Sequence, residues 1–376
     1  MRKWLVVPVL ALVVAACDDA QVFQPELNRS GGVLAGEPVV VMSRNLYLGA
    51  DIDVLLDPNA DLPTALATAL QQVLQTDFPQ RANKALAQEI HDRQPHLVGL
   101  QEVTTYAITL GDGTIVPALG FPQDFMQLLL AELAALGDTY VEAARSPNVA
   151  LMFPIDFVQP GLFITYQDAD AILVRGDVSV LASSSGNYVN QQFLSVGGVV
   201  FPNLRGWAHV DADVGGKKLR FANTHLEIQL FAAVQEKQAG ELIAELAASP
   251  WPVVLVGDFN SAANHDAPAE SKTASYHLIR SAGYSDLWLR EPGSVGGLTC
   301  CQVADLSNTM SDLDQRLDVV FVRWGKAGFG GQSSVKVFGN EFDDIFTHPL
   351  GYTLWPSDHA GVAAWIWPAP GRLAAR

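Results

Sequence analysis

A layered α/β fold is what the sequence predicts, and three observations predict it. Apolar runs of strand length recur along the chain at residues 39–42, 97–100, 172–174, 253–256 and 319–322. Longer amphipathic stretches of helical period separate some of them, at residues 62–94 and 227–248. A Gly215-Gly216 pair between two further apolar runs has the composition of a hairpin turn. Strands alternating with helices place a chain in the layered α/β group.

Taken in order, residues 18–37 hold Pro25, Gly31, Gly32 and Gly36 among polar side chains and read as a tether, so order is expected to begin near Val39. The first strand, residues 39–42, leads to Asn45. Residues 62–94 carry Leu66, Leu70, Val73, Leu74, Ala85, Leu86 and Ile90 at helical spacing, and Pro95 stops them. The strand at 97–100 ends in Gln101 and Glu102. Residues 102–168 are less regular, with a Gly-Asp-Gly turn at 111–113, a helix around 125–136 and Pro147, Pro154 and Pro160; such insertions over a sheet rim are expected to shape a pocket. Residues 169–175 and 178–181 read as paired strands, 199–214 and 219–224 as a hairpin, 227–248 as a helix and 253–256 as a buried strand. Length alone admits two domains, but layered folds often use most of such a length for one, and one is expected over residues 38–368, with a short tail at 369–376.

Several of these runs end in reactive side chains: Gln101-Glu102 after LVGL, Thr224-His225 after LRFAN, and Asp258-Phe259-Asn260 after VVLVG. Ser357-Asp358-His359 stands just before AGVAAWIW. A buried strand that delivers carboxylate, amide or imidazole to the rim of a sheet looks like this, and four such ends suggest one site. Asn45 after VVVMSR and Asp318 in RLDVVFV complete the set.

The six motifs, in this order and on strand-like runs from about Val39 to Trp367, resemble the endonuclease/exonuclease/phosphatase superfamily of metal-dependent phosphoesterases. The resemblance implies an α/β (α+β) fold of two packed, mostly antiparallel sheets flanked by helices, a four-layered sandwich. It implies that Glu102 holds a divalent metal, helped by Asn45 and Asp358. Mg²⁺ is the expected ion and Mn²⁺ the alternative, since both favour hard oxygen donors. It implies that Asp258 orients or deprotonates water, that Asn260 holds the scissile phosphate, and that His225 and His359 grip phosphoryl oxygens, with Asp318 fixing His359. The Thr-His-Leu segment at His225 is similar to the deoxyribonuclease, sphingomyelinase and phosphatase branches. Asp170 and Arg205 stay open between site and surface.

A formal charge of −17 bounds the partners. Arg2 and Lys3, then the apolar run 4–14, read as a signal peptide ending at residue 16, too short to span a bilayer. Its removal takes away two cations and no acid, leaving about −19. Such a surface repels nucleic-acid backbones, so DNA is disfavoured unless local cations rescue it, and a lipid head group or small phosphoester is the expected substrate. Val14-Ala15-Ala16-Cys17 resembles the lipobox of bacterial lipoproteins, which implies a lipid on Cys17 and a membrane-anchored, extracytoplasmic monomer. Extracytoplasmic nuclease and non-catalytic surface lipoprotein are the rival readings, and the presence of Glu102, Asp258 and His359 argues against the second. The remaining cysteines, Cys300 and Cys301, read as a structural pair, disulfide-bonded or free, with no further cysteine to build a metal site.

Overall fold

Parallel strand pairs need helical crossovers, and the two helix-rich stretches of this chain are where the computed structural model places them. It describes residues 36–57, 59–324 and 329–368. The first half runs β1 (Val39–Asn45), α1 (Leu62–Thr76), α2 (Phe78–Arg81), a π-helical turn (Ala82–Leu86), α3 (Ala87–Arg93), β2 (Leu97–Gln101), β3 (Thr105–Leu110), β4 (Gln123–Asp124), α4 (Phe125–Ala135), β5 (Tyr140–Pro154) and β6 (Leu162–Arg175). Then come β7 (Ser179–Asn187), β8 (Gln192–Val196), β9 (Val199–Asn203), β10 (Gly206–Val214), β11 (Lys217–His225), α5 (Ala232–Ala247) and β12 (Val253–Asp258). The remainder supplies α6 (Ser275–Ser281), β13 (Ser285–Asp286), β14 (Asp318–Arg323), β15 (Phe329–Phe338), β16 (Phe346–Thr347), β17 (Thr353–Leu354) and β18 (Gly361–Pro368).

An eight-stranded sheet has the order β15-β18-β1-β2-β6-β3-β4, with β5 also on β6, and a six-stranded sheet the order β13-β14-β12-β11-β10-β7. Each contains one parallel pair, β1 with β2 and β11 with β12, and the rest are antiparallel. The inner faces meet through Val39, Val41, Ile172 and Val174 on one side and Val210, Phe221, Val254 and Val256 on the other. The outer face of the larger sheet packs on α1 to α4 through Val73, Phe78, Ile90 and Leu129, and that of the smaller on α5 and α6 through Leu242, Leu246 and Ile279. The result is the expected sandwich of four layers. Alternation of buried side chains on both faces explains why the central strands read as continuous apolar runs.

Three elements depart from the sequence reading. The helix expected over 62–94 is broken at Asp77, which takes φ 40° and caps α1, because Pro79 lacks the N–H a continuous helix would need and sits in the first turn of α2 instead. Residues 169–175 and 178–181 do not pair: β6 belongs to the larger sheet and β7 pairs with β10 in the smaller, so the intervening turn carries the chain from one layer to the other. The strand expected over 199–214 is two strands, β9 pairing with β8 in a hairpin outside both sheets and β10 pairing with β11 around Gly215-Gly216. Among the described residues no helix is long and apolar enough to cross a membrane. The expected leader, Cys17 and the tether before Gly36 lie outside the described residues, as does the tail.

Candidate active site

Strand ends from both sheets meet at one rim, and register decides which side chains face each other there. His225, Asp258 and Asp318 are direct partners across β11, β12 and β14, so they stand in a row on one face. Asn45 lies opposite Gln101 where β1 and β2 end together, and Glu102 then leaves the strand at φ 57°. Gln101 itself turns inward, donating to Asn223 Oδ1 at 2.6 Å between the sheets. Ser357-Asp358-His359 precede β18, which is antiparallel to β1, and Ser357 Oγ donates to the Asn45 carbonyl at 2.8 Å. All eight predicted site residues of the domain, Asn45, Glu102, His225, Asp258, Asn260, Asp318, Asp358 and His359, are brought to this rim.

Hydrogen bonds knit them. Asn45 Nδ2 donates to Glu102 Oε1 at 3.0 Å and Asp258 Oδ2 at 3.3 Å, while Leu48 N–H donates to Glu102 Oε2 at 2.7 Å. His359 Nδ1 pairs with Asp318 Oδ2 at 2.7 Å. Its Nε2 lies 3.7 Å from Asp258 Oδ2, and His225 Nε2 lies 3.5 Å from the same oxygen, so one carboxylate faces both imidazoles. Asn260 is not on an extended segment with Asp258, as its spacing suggests; it takes φ 47°, which lets its N–H donate to Asp258 Oδ1 at 2.9 Å and its Nδ2 to His225 Nε2 at 3.1 Å. Tyr47, Glu102 and Asn260 all hold left-handed backbone just past strand ends, strain of the kind found where a fold over-determines a site. Gly257 earns its place by contact: a Cβ there would come within 2.0 Å of the Thr224 carbonyl.

The two imidazoles are driven apart electrostatically. Burial, then Arg205 and His359, hold His225 well below the usual imidazole range. Burial also opposes charge on His359, but Asp318, Asp258 and Asp358 outweigh it and hold that ring well above the range. With Asn260 Nδ2 donating to Nε2, neutral His225 carries its hydrogen on Nδ1, and that atom lies 3.8 Å from Asp170 Oδ1. Both atoms are buried without a hydrogen-bond partner, 3.8 Å being too long for one between them.

Asp170, which the sequence leaves open, therefore belongs to the site. So does Asp168 two residues earlier on the same face of β6; Asn148 Nδ2 donates to Asp168 at 2.8 Å and to Asp170 at 3.1 Å. The alternation of the two acids before an apolar run was the available signal, whereas Asn148 carried none. Burial, then Glu102, raises the Asp168 carboxyl to about 6, and Arg205, buried 3.9 Å from Glu227, faces this acidic group. The cysteine pair, expected to be structural, stands in the wall of the site with its two sulfurs side by side, Cys301 Sγ lying 3.9 Å from His359 Nε2.

Asp258, Asp318 and Asp358 crowd around one cationic imidazole, and Glu102 adds its charge to that of Asp258 and Asp358. Burial and mutual repulsion push Asp258 to about 6 and Asp358 to about 7. Hard oxygen donors short of positive charge fit Mg²⁺ or Mn²⁺. Asn45 presents its nitrogen to the acids and its oxygen to the Tyr47 N–H, 2.9 Å away, so as a ligand its amide must turn over. Asp258, Asp318 and His359 also offer ligand atoms within 4.8 Å of one another.

Residues 76–359, most of the chain and all but the first of the site segments, match the profile of the Endonuclease/Exonuclease/phosphatase family. The chain belongs to this family. A search of curated protein sequences gives no match. Among solved structures, the fold is similar to that of D. rerio TDP2 humanized by 14 mutations (17% identity, 88% of this chain and 99% of that one covered, TM-score 0.51). It is equally similar to an Endonuclease/Exonuclease/phosphatase family protein from Leptotrichia buccalis (15% identity, 87% and 99% covered, TM-score 0.51). These likenesses establish the family fold, two sheets and flanking helices, and the family acts on phosphoesters; at such identity they carry no substrate across.

Proposed function

We propose that the chain is a metal-dependent phosphoester hydrolase acting on a phosphodiester or phosphomonoester outside the cytoplasm, where an N-terminal lipid tethers it. The observation that carries the catalytic part is the Asp258 carboxylate facing two imidazoles, one held neutral and one held charged. Glu102, Asn45 and Asp358 would hold Mg²⁺ or Mn²⁺, which when bound neutralises charge on the phosphoryl oxygens. Asp258, raised to about 6 yet ionised at neutral pH, is suited to accept a proton from water and to aim it. His359, kept charged and oriented by Asp318, donates to a phosphoryl oxygen as negative charge builds. His225 presents no charge of its own, and the Asn260 amide fixes its ring.

Duplex nucleic acid fits this cleft poorly, because among the described residues Arg205 is the only arginine or lysine along its lining. The reading is tested with 4-nitrophenyl phosphate, bis(4-nitrophenyl) phosphate and methyl 4-nitrophenyl phosphate. At least one ester is expected to be hydrolysed with Mg²⁺ or Mn²⁺, to stop with EDTA and to recover on adding either ion. Turnover indifferent to EDTA, or none on any ester, would reject it.

The lipobox-like residues 14–17 support the tether. Expressed in a bacterial host, the protein is expected in the membrane fraction with labelled fatty acid on Cys17, and Cys17→Ser is expected to abolish the label. Mass spectrometry of an unacylated mature N-terminus beyond residue 17 would reject this part alone.

A further inference from the structure

The catalytic cluster occupies only one end of its cavity. The space amounts to about 540 Å³, and beyond the catalytic cluster most of its wall is apolar, interrupted by Asp168, Asn203, Arg205, Glu227 and Gln229. One wall is α1, through Leu66, Leu70 and Val73; a second is the pair β5 and β6, through Leu151, Phe153, Ile164 and Tyr166. The third is the β8–β9 hairpin, which turns Leu194, Val196 and Phe201 to the cavity and leaves Phe193, Val199 and Val200 outside. Its Gly197-Gly198 tip rests on α1, where a Cβ on Gly197 would come 2.6 Å from Leu62 Cδ2, so the hairpin roofs this limb of the cavity.

None of the proposed chemistry uses that surface. A bound sugar or inorganic phosphate would leave it wet, at a cost in proportion to the apolar area. Most of the polar groups there are already paired: the Tyr106 hydroxyl donates to the Leu48 carbonyl at 3.0 Å, Asn203 Nδ2 donates to Glu227 at 3.0 Å and Arg205 faces the same acid, which leaves Gln229 Oε1 without a partner. A pocket of this size with apolar walls and convergent polar groups at one end matches a ligand of the same polarity pattern.

We infer that the substrate is an amphiphilic phosphoester, in which an alkyl chain attached through an ester oxygen lies in the limb between α1 and the β8–β9 hairpin. This rests on the phosphoesterase reading. The phosphate sits at the rim among His225, Asp258 and His359; the apolar group displaces water from Leu70, Leu194 and Phe201.

The test is a homologous series, methyl, hexyl and dodecyl 4-nitrophenyl phosphate, each below its micelle concentration and with Mg²⁺. A fully buried methylene contributes up to about fourfold in affinity, so kcat/KM is expected to rise at least about tenfold from methyl to hexyl. Leu194→Asn and Phe201→Ser should each compress that hexyl-to-methyl ratio to about threefold or less. A flat series in an enzyme that turns over the methyl ester overturns the inference and leaves the phosphoesterase reading standing. Calorimetry with dodecylphosphonate and methylphosphonate in EDTA decides the limb independently of turnover. At least about tenfold tighter binding of the long phosphonate, lost in Leu194→Asn, supports the limb even if no ester is hydrolysed, and equal affinity overturns it.

Discussion

Asp258→Asn is expected to lower kcat on the best hydrolysed ester by about 10²- to 10⁴-fold, the usual loss for a positioned acid/base group, with the fold intact. The amide keeps the shape of the carboxylate and still accepts from the Asn260 N–H, so melting should change little. What it removes is the one oxygen that both His225 and His359 face, and with it the acceptor for the proton of water. His359→Ala should fall by a similar factor. Asp318 touches no substrate in this scheme and acts through His359, so Asp318→Asn should lose less than His359→Ala, and the double variant should be no slower than His359→Ala alone. Stopped assays on each folded variant decide the matter. Rates within about threefold of the parent for Asp258→Asn, or additive losses for the Asp318 and His359 pair, would show that these groups do not form one unit.

Much of this site could be read before the structure, for a physical reason. A strand buried on both faces is a continuous apolar run, and a polar cluster at its end has nowhere to lie but the rim, so Glu102, His225, Asp258 and Asp318 announce themselves. Pairing is less legible. Nothing in residues 169–181 says that the turn at Asp177 moves the chain from one sheet to the other, because periodicity reports which face is buried and not which neighbour is bonded. The backbone turn at Asn260 was equally hidden, since spacing of two reads as one face only while the chain stays extended. Asn148 and the placement of Cys300-Cys301 depend on long-range packing, which leaves no local pattern. The apolar limb was invisible for a further reason: its walls come from α1, β5, β6 and β8–β9, and each of these contributes side chains that read, singly, as ordinary core.

The least legible residue with a large expected effect is Arg81. In sequence it is one cation on an amphipathic helix, where a solvated face is the ordinary reading. In the structure it is fully buried between the rings of Phe78 and Tyr47, with its guanidinium carbon 5.0 and 5.7 Å from their centres. Its nitrogens donate to the carbonyls of Thr76 at 3.0 Å, Leu46 at 2.6 Å, Tyr47 at 2.9 Å and Pro356 at 3.2 Å. Burial lowers it only to about 10, so it is charged at neutral pH. Those carbonyls belong to the segment that follows Asn45 and the one that leads into Asp358, so a single guanidinium ties two proposed metal-binding segments to the end of α1. Arg81→Met removes every donor and strands the buried carbonyls; removing one partner from a buried charged network commonly costs about 3–5 kcal/mol. Lysine restores charge but cannot span four carbonyls, and Arg81→Lys should still lose about half of that. Arg145, whose pair with Glu142 at 2.7 Å is half-exposed, is the control, with Arg145→Ala expected to cost less than about 1 kcal/mol. Urea unfolding reads all three. The Mg²⁺ concentration needed for half-maximal turnover should also rise in Arg81→Lys, because loosening Pro356 and Leu46 separates Asp358 from Asn45. An Arg81→Met protein within about 1 kcal/mol of the parent would mean that water replaces the guanidinium, and that the two segments hold their places without it.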